Sequence, residues 1–187
     1  MAEDILLERK KDSLYFRKIS SKNEIDNSKN YDGYLIRANE NESRKIISSL
    51  KGSNFKGKIA LYGSDEQMNR RFIETLNFDY LVSPEINSGK DSLKQRSSGL
   101  NHVLIREARK KGITILISLG ELEKLKTLDK VKAISRIIQN IKLCRKVNCE
   151  VKIANLNSPK RLIKKERISL GTSWGMSSQQ LRDCCSF

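Results

Sequence analysis

One histidine, two prolines and one tryptophan are all that this 187-residue chain holds of those three residue types. A metal centre built on imidazole needs several histidines converging on one point. The single His102 cannot supply one, and no H-x-H or H-x-x-x-H spacing exists. Aromatic residues are also few: five Phe, five Tyr and the one Trp, scattered along the chain. That argues against a sheet that stacks bases on rows of aromatic rings. No apolar run approaches the roughly 18 residues of a membrane-spanning helix. The opening MAEDILLERKK has no positive segment ahead of an apolar run, so no signal peptide is expected. Neither G-x-G-x-x-G nor G-x-x-x-x-G-K follows any strand-like run, which removes the dinucleotide and P-loop readings. The four cysteines, Cys144, Cys149, Cys184 and Cys185, lack the C-x-x-C spacing of a structural zinc site. They read as free thiols in a reducing cytosol, with Cys144 on the apolar face of a helix.

Positive charge is what the chain has in excess. Lysine and arginine number 37 against 22 aspartates and glutamates, a net charge of +15. Such an excess favours a polyanionic partner, because each neutralised phosphate releases condensed counterions. Nucleic acid is the leading candidate. A basic solubility surface and a membrane surface are the rivals. With 37% hydrophobic residues the chain can bury a core, and its length fits one domain.

Short strand-like runs recur: SLYFRKIS (13–20), YLIRA (34–38), KIALY (58–62), DYLVS (79–83), ITILISL (113–119) and EVKIA (150–154). Most are apolar and rich in β-branched or aromatic residues, as strands buried on both faces are. Helical patterns alternate with them: 43–52, 64–76 with a capping-box spacing from Ser64 to Gln67, a stripe from Leu100 to Ala108 ending at Gly112, and 128–147. In the last, Val131, Ile134, Ile138, Ile141 and Arg145 trace one face. Repeated βα units of this kind predict an α/β fold around a parallel sheet, either an open sheet or a compact or incomplete barrel of six or seven units. Residues 21–30 read as loop. Residues 84–98 form a long loop at the C-terminal end of a strand, the end that carries function in βα barrels.

That loop carries Lys90, Lys94 and Arg96. The Ser97-Ser98-Gly99 that follows enters a helix whose free N–H groups could receive an anion. Arg106, Arg109, Lys110 and Lys111 continue the charge along the helix, although the last two could simply complement its dipole. Asp79 and Glu85 flank the preceding strand and could pair with a basic residue or lie on a solvated rim. No arrangement of nucleophile, base and orienting group emerges, so no catalytic residue is assigned.

KQRSSGLNHVLIREARKKGITILISL (94–119) resembles the signature of the ribonuclease P protein component 3 family, roughly R-x-S-G-[IL]-[ND]-H-V-L followed by a basic helix and a strand ending in S-L. Arg96, Gly99, Leu100, Asn101, His102, Val103 and Leu104 match, and Ser118-Leu119 close the strand. Ser83-Pro84 looks like the S-P that ends an upstream strand in the family. NSPKRLI (157–163) resembles a helix start, SLGTSWGM (169–176) a helix end and SSQQLRD a short terminal helix. The likeness runs from about residue 31 to 183. It departs where the family reads S-L-R-P-L-L and this chain S-L-G-E-L-E, where Lys160-Arg161 replaces Arg-Asp, and where Lys164 to Arg167 interrupt the helix.

The resemblance implies a TIM-barrel-like fold and a protein subunit of ribonuclease P, the enzyme that removes 5′ leaders from precursor tRNA and whose RNA is the catalyst. It implies ribonuclease P RNA and precursor tRNA as partners, along with a small RRM-like subunit. It also implies magnesium with the RNA, no cofactor in the protein, and a cytoplasmic location. The RNA-contacting candidates on this reading are Lys90, Lys94, Arg96, Asn101, His102, Arg106, Arg109, Lys160 and Arg161. His102 could face RNA, order the Arg96 loop, or serve its own helix. A stand-alone phosphate-recognising barrel enzyme and a generic RNA-binding scaffold are the competing functions.

Overall fold

Leu, Ile and Val in short runs favour fully buried parallel strands, and these runs form the sheet. The computed structural model describes residues 4–6, 13–26, 30–86, 89–91, 96–156 and 161–184. Seven strands lie in one parallel sheet in chain order: β1 (Asp4–Leu6), β2 (Ser13–Ile19), β3 (Gly33–Ile36), β4 (Lys58–Tyr62), β5 (Tyr80–Val82), β6 (Thr114–Ser118) and β7 (Val151–Ala154). The sheet curls far enough that Cα atoms of β1 and β7 come within 8 Å, yet among the described residues no ladder joins them. The expected incomplete barrel is therefore what forms.

Alternation along the strands separates two cores. Ile5, Phe16, Leu35, Ala60, Tyr62, Tyr80, Val82, Leu116 and Ala154 fill the barrel interior. Tyr34, Ile36, Ile59, Leu61, Leu81, Ile115, Ile117, Val151 and Ile153 point outward, beneath the helices. The register agrees: Leu35 faces Ala60, Tyr62 faces Val82, and Val82 faces Leu116 across adjacent strands. Each such fully buried aliphatic or aromatic side chain contributes roughly 1.5–3 kcal/mol of transfer free energy.

The helices are α1 (Glu40–Gly52), α2 (Glu66–Thr75), α3 (His102–Lys110), α4 (Leu119–Glu123), α5 (Thr127–Val147), α6 (Lys164–Ser173) and α7 (Ser178–Asp183). Four details correct the sequence reading. Asp65, not Ser64, caps α2, accepting from Met68 N at 2.8 Å. A 3-10 turn (Lys22–Glu24) forms inside the 21–30 segment, held by Glu24, whose carboxylate accepts from Ser20 N and Ser21 Oγ. Residues 161–163 are not helical, and Lys164–Arg167 form the first turn of α6 rather than interrupting it. The Glu166 carboxylate accepts from Ile163 N at 2.9 Å and fixes that start. Finally, α5 buries Ala133, Arg136, Ile137, Asn140, Ile141 and Cys144, so its inward face is rotated from the predicted one. Val131 is 59% exposed and Arg145 is also exposed. The predicted ends of α6 and α7 hold. Met176 N donates to Gly171 O as Gly175 turns left-handed, and Ser177 and Gln180 cap α7 reciprocally.

Candidate nucleic-acid interface

The chain leaves β5 through Ser83, which adopts φ 46°, uncommon for a residue with a side chain. Its neighbours hold it there. Ser83 N donates to Leu116 O at 2.8 Å, and Ser118 N donates to Ser83 Oγ at 3.0 Å. Glu85 follows, buried to 1% exposure. Burial pushes its carboxyl up to about 7, against the opposing pull of the Ser83 hydroxyl and the Arg136 guanidinium.

Arg136 is the anchor of the long loop. From the buried face of α5 its Nε donates to Asp91 Oδ1 (2.9 Å), Nη1 to Glu85 O (3.1 Å) and Nη2 to Gly89 O (2.6 Å). One guanidinium thus grips three points of the chain, using the fixed fork of donors that lysine lacks. Burial works against the Asp91 charge, but Ser97 N–H, Arg136 and nearby Arg96 hold its carboxyl below the usual aspartate value. Ser97 N reaches Asp91 Oδ1 at 2.7 Å. The Asp91 carboxylate thus links the returning limb of the loop at Ser97 to Arg136.

On its return the loop packs tightly. Gln139 donates to Arg96 O (3.2 Å) and Ser98 Oγ (3.0 Å), and Asn140 to Ser98 O (3.1 Å). Gly99, at φ +76°, crosses directly over Pro84. A Cβ there would collide with Pro84 O and with Asn69, whose amide donates to Gly99 O at 2.8 Å. Asn101 is the N-cap of α3. Its Oδ1 accepts from Val103 N and Leu104 N, both at 2.9 Å, and its amide donates to Glu66 at 2.6 Å. The Asn101 side chain occupies the N–H groups that the sequence suggested for an anion, and Ser98 and Gly99 are buried.

The predicted residues divide by place. Arg96 is exposed and borders a groove on α5 together with Ser135, Gln139, Lys142 and Lys146. Lys90 is exposed at a second hollow beside Lys132 and Arg136. His102, the first residue of α3, and Arg106 are exposed. Arg161 is half-buried beyond β7. Lys94 and Lys160 lie outside the described residues. Arg109 is carried to the opposite end of the barrel, where it borders a cavity with Thr114 and Cys149. Lys111 donates to Glu74 O at 2.7 Å, near the C-terminus of α2, where a cation offsets the dipole. Asp79 pairs with Lys58 at 2.8 Å and accepts from Ile59 N, a contact at the start of its strand rather than at its end.

Several cations escaped the sequence reading. Lys142 and Lys146 look like an ordinary solvated helix face until Arg96 is laid beside them. At the barrel mouth Lys18 and Arg37 lie over the Tyr62 ring, 5.8 and 5.2 Å from its centroid, and the Tyr62 hydroxyl donates to Glu121 at 3.0 Å. The signal was their position at the C-terminal ends of β2 and β3. Among the described residues no group of three or more His, Cys, Asp or Glu side chains could hold a metal ion. No helix of the described chain is long and apolar enough to cross a membrane.

These features define an incomplete parallel (β/α) barrel with an arginine-anchored basic loop at the C-terminal ends of its strands. No family model matches the chain. Ribonuclease P protein component 3 from Methanococcus vannielii is 30% identical over 141 residues, 70% of this chain and 57% of that protein. Its namesake from Methanococcus maripaludis strain S2 is 29% identical over 126 residues, 67% and 50% of the two chains. The chain thus spans little more than half the length of these curated relatives. Among solved structures, a chain of an archaeal ribonuclease P determined by cryo-EM with mature tRNA superposes with TM-score 0.72 at 18% identity, over 97% of this chain and 85% of that one. An amidohydrolase reaches TM-score 0.57 at 11% identity, over 83% and 41%. The chain is a homologue of ribonuclease P protein component 3, as residues 94–119 indicated.

Proposed function

We propose that this chain is a protein subunit of ribonuclease P that supports the catalytic RNA in removing 5′ leaders from precursor tRNA. The observation that carries the reading is the agreement between relatives of one name and a basic surface organised by the Arg136-anchored loop. In this role Arg96, Lys142, Lys146 and Lys90 contact phosphates. A guanidinium on an exposed loop can bind a phosphate through two parallel hydrogen bonds. His102 and Arg106 extend the surface along α3. Magnesium enters with the RNA, and a small RRM-like subunit is the protein partner. The site of action is the cytoplasm.

Reconstitution tests this. The chain with ribonuclease P RNA and the remaining subunits should restore cleavage of precursor tRNA at its mature 5′ end. Arg96→Ala should lower RNA affinity while leaving the melting temperature unchanged. A chain that cleaves precursor tRNA alone, after nuclease treatment of the preparation, would instead be a stand-alone enzyme. Equal affinity for unrelated RNAs would make it a generic scaffold.

A further inference from the structure

The Arg109 cavity lies at the end of the barrel remote from the basic loop. It measures about 560 Å³ and is bordered by the C-terminus of α5, the starts of β6 and β7, and α7. Two cysteines share its wall. Cys144 is the fourth residue from the C-terminus of α5, and Cys149 follows the left-handed Asn148 that ends it. Cys149 N donates to Cys144 O at 3.0 Å, closing the helix with the six-to-one bond of a Schellman motif. This motif brings its first and last side chains into contact, commonly as an apolar pair. Here both partners are thiols, 0% and 3% exposed and not joined by a disulfide, and Cys149 Sγ donates to Ile113 O at 3.6 Å.

We propose that Cys144 and Cys149 form a reversible dithiol–disulfide site whose oxidant is hydrogen peroxide entering through this cavity. The inference does not depend on the RNA role. The groups around the pair set the order of events. Arg109 and Glu150 act on Cys149 with opposite sign, and Arg145 and Asp183 border the same cavity. The neighbouring Cys144 thiol, followed by Arg109, draws the Cys149 thiol below its ordinary value, while the Cys149 neighbour and burial push Cys144 up. Cys149, which shares the cavity wall with Arg109, is the attacking sulfur once its proton has left. Its sulfur displaces hydroxide from the peroxide, the O–O bond breaks, and Cys149 becomes a sulfenic acid. The Cys144 sulfur then attacks the Cys149 sulfur, the S–O bond breaks, and water leaves with the Cys144 proton. Two thiols and one peroxide give one disulfide and two waters. A thiol reductant reverses the product by exchange.

Peptide mapping of the full chain tests this without any substitution. Trypsin cuts after Lys142, Arg145, Lys146 and Lys152, placing the cysteines on LCR (143–145) and VNCEVK (147–152). After peroxide treatment and alkylation, the expected product is these two peptides joined, with the loss of two hydrogens, and separated by dithiothreitol. In Cys144→Ser the sulfenic acid should persist on Cys149 and be captured by dimedone, whereas in Cys149→Ser Cys144 should remain unlabelled. Recovery of both peptides unlinked and alkylated, at peroxide exposure that oxidises free glutathione, overturns the proposal. So does linkage of either cysteine to Cys184 or Cys185.

Discussion

Asn101 shows how a residue of a recognisable signature can serve its own helix. It accepts two backbone N–H groups of α3 and ties that helix to Glu66 of α2. Asn101→Ala should therefore cost about 1 kcal/mol of stability, the usual loss for a removed N-cap. Thermal melts check this, and an unchanged melting temperature would return Asn101 to the RNA-contact list. Its neighbour His102 is exposed and free of the capping task, so His102→Ala should leave the melting temperature unchanged. Glu85 gives a pH dependence. Its carboxyl is raised from an ordinary 4.5 to about 7 by burial, so between those values the folded chain keeps a proton the unfolded chain has released. Stability contributed by this group is full below about 4.5, declines as pH rises toward 7 and is level above it. Glu85→Gln should raise stability near pH 8 by up to about 3 kcal/mol and change it little near pH 4. Denaturant unfolding at the two pH values reads the difference directly.

At the scale of elements, the strands and the span of the long helix were legible, but the buried face of that helix was not. Runs such as KIALY and ITILISL are mostly aliphatic, and β4 and β6 fall within them. Strand β1 is three residues long, too short for any period to register. Helix α5 misled because its buried face contains Arg136 and Asn140, which an apolar-stripe argument sends to solvent. Both are inward because the 84–98 loop places carbonyls and a carboxylate there to receive them. Nothing local to residue 136 records a loop 45 residues earlier. The same fact explains why the anchoring of Arg96 was illegible although Arg96 itself was picked out. Arg136→Met should leave Glu85 O, Gly89 O and Asp91 without their shared donor and cost about 3–5 kcal/mol, as breaking a buried pair from one side does. Protease cleavage within 84–98 should accelerate ahead of global unfolding. A loop as resistant as the wild type would show that Gln139 and Asn140 hold it unaided.

The whole molecule separates its tasks by end. The basic loop and the Lys18–Tyr62–Arg37 stack lie on the side of the C-terminal strand ends, and the α5 groove runs from Arg96 along the outer face of that helix. The dithiol lies at the opposite end of the barrel. With net charge +15, binding to RNA should weaken steeply with salt, with a log–log slope of about −0.7 to −0.9 for each phosphate contacted. Filter binding over a salt series measures it. Lys142→Gln combined with Lys146→Gln should make the slope shallower, while Arg109→Gln, on the far side, should leave it unchanged. A larger change from Arg109→Gln would move the RNA surface to the opposite end of the barrel.

Strand order in the sheet equals strand order in the chain, and this bears on how the molecule is made. Each strand finds its neighbour one unit upstream, already synthesised, so the sheet can grow from one edge as the polypeptide emerges, without waiting for distant sequence. The 84–98 loop breaks that rule. Its three-point grip comes from Arg136, which the ribosome adds some 50 residues after Glu85. The surface proposed for RNA thus gains its shape late, once α5 has docked, and a nascent chain truncated before that helix would carry the charges of the loop but not their arrangement.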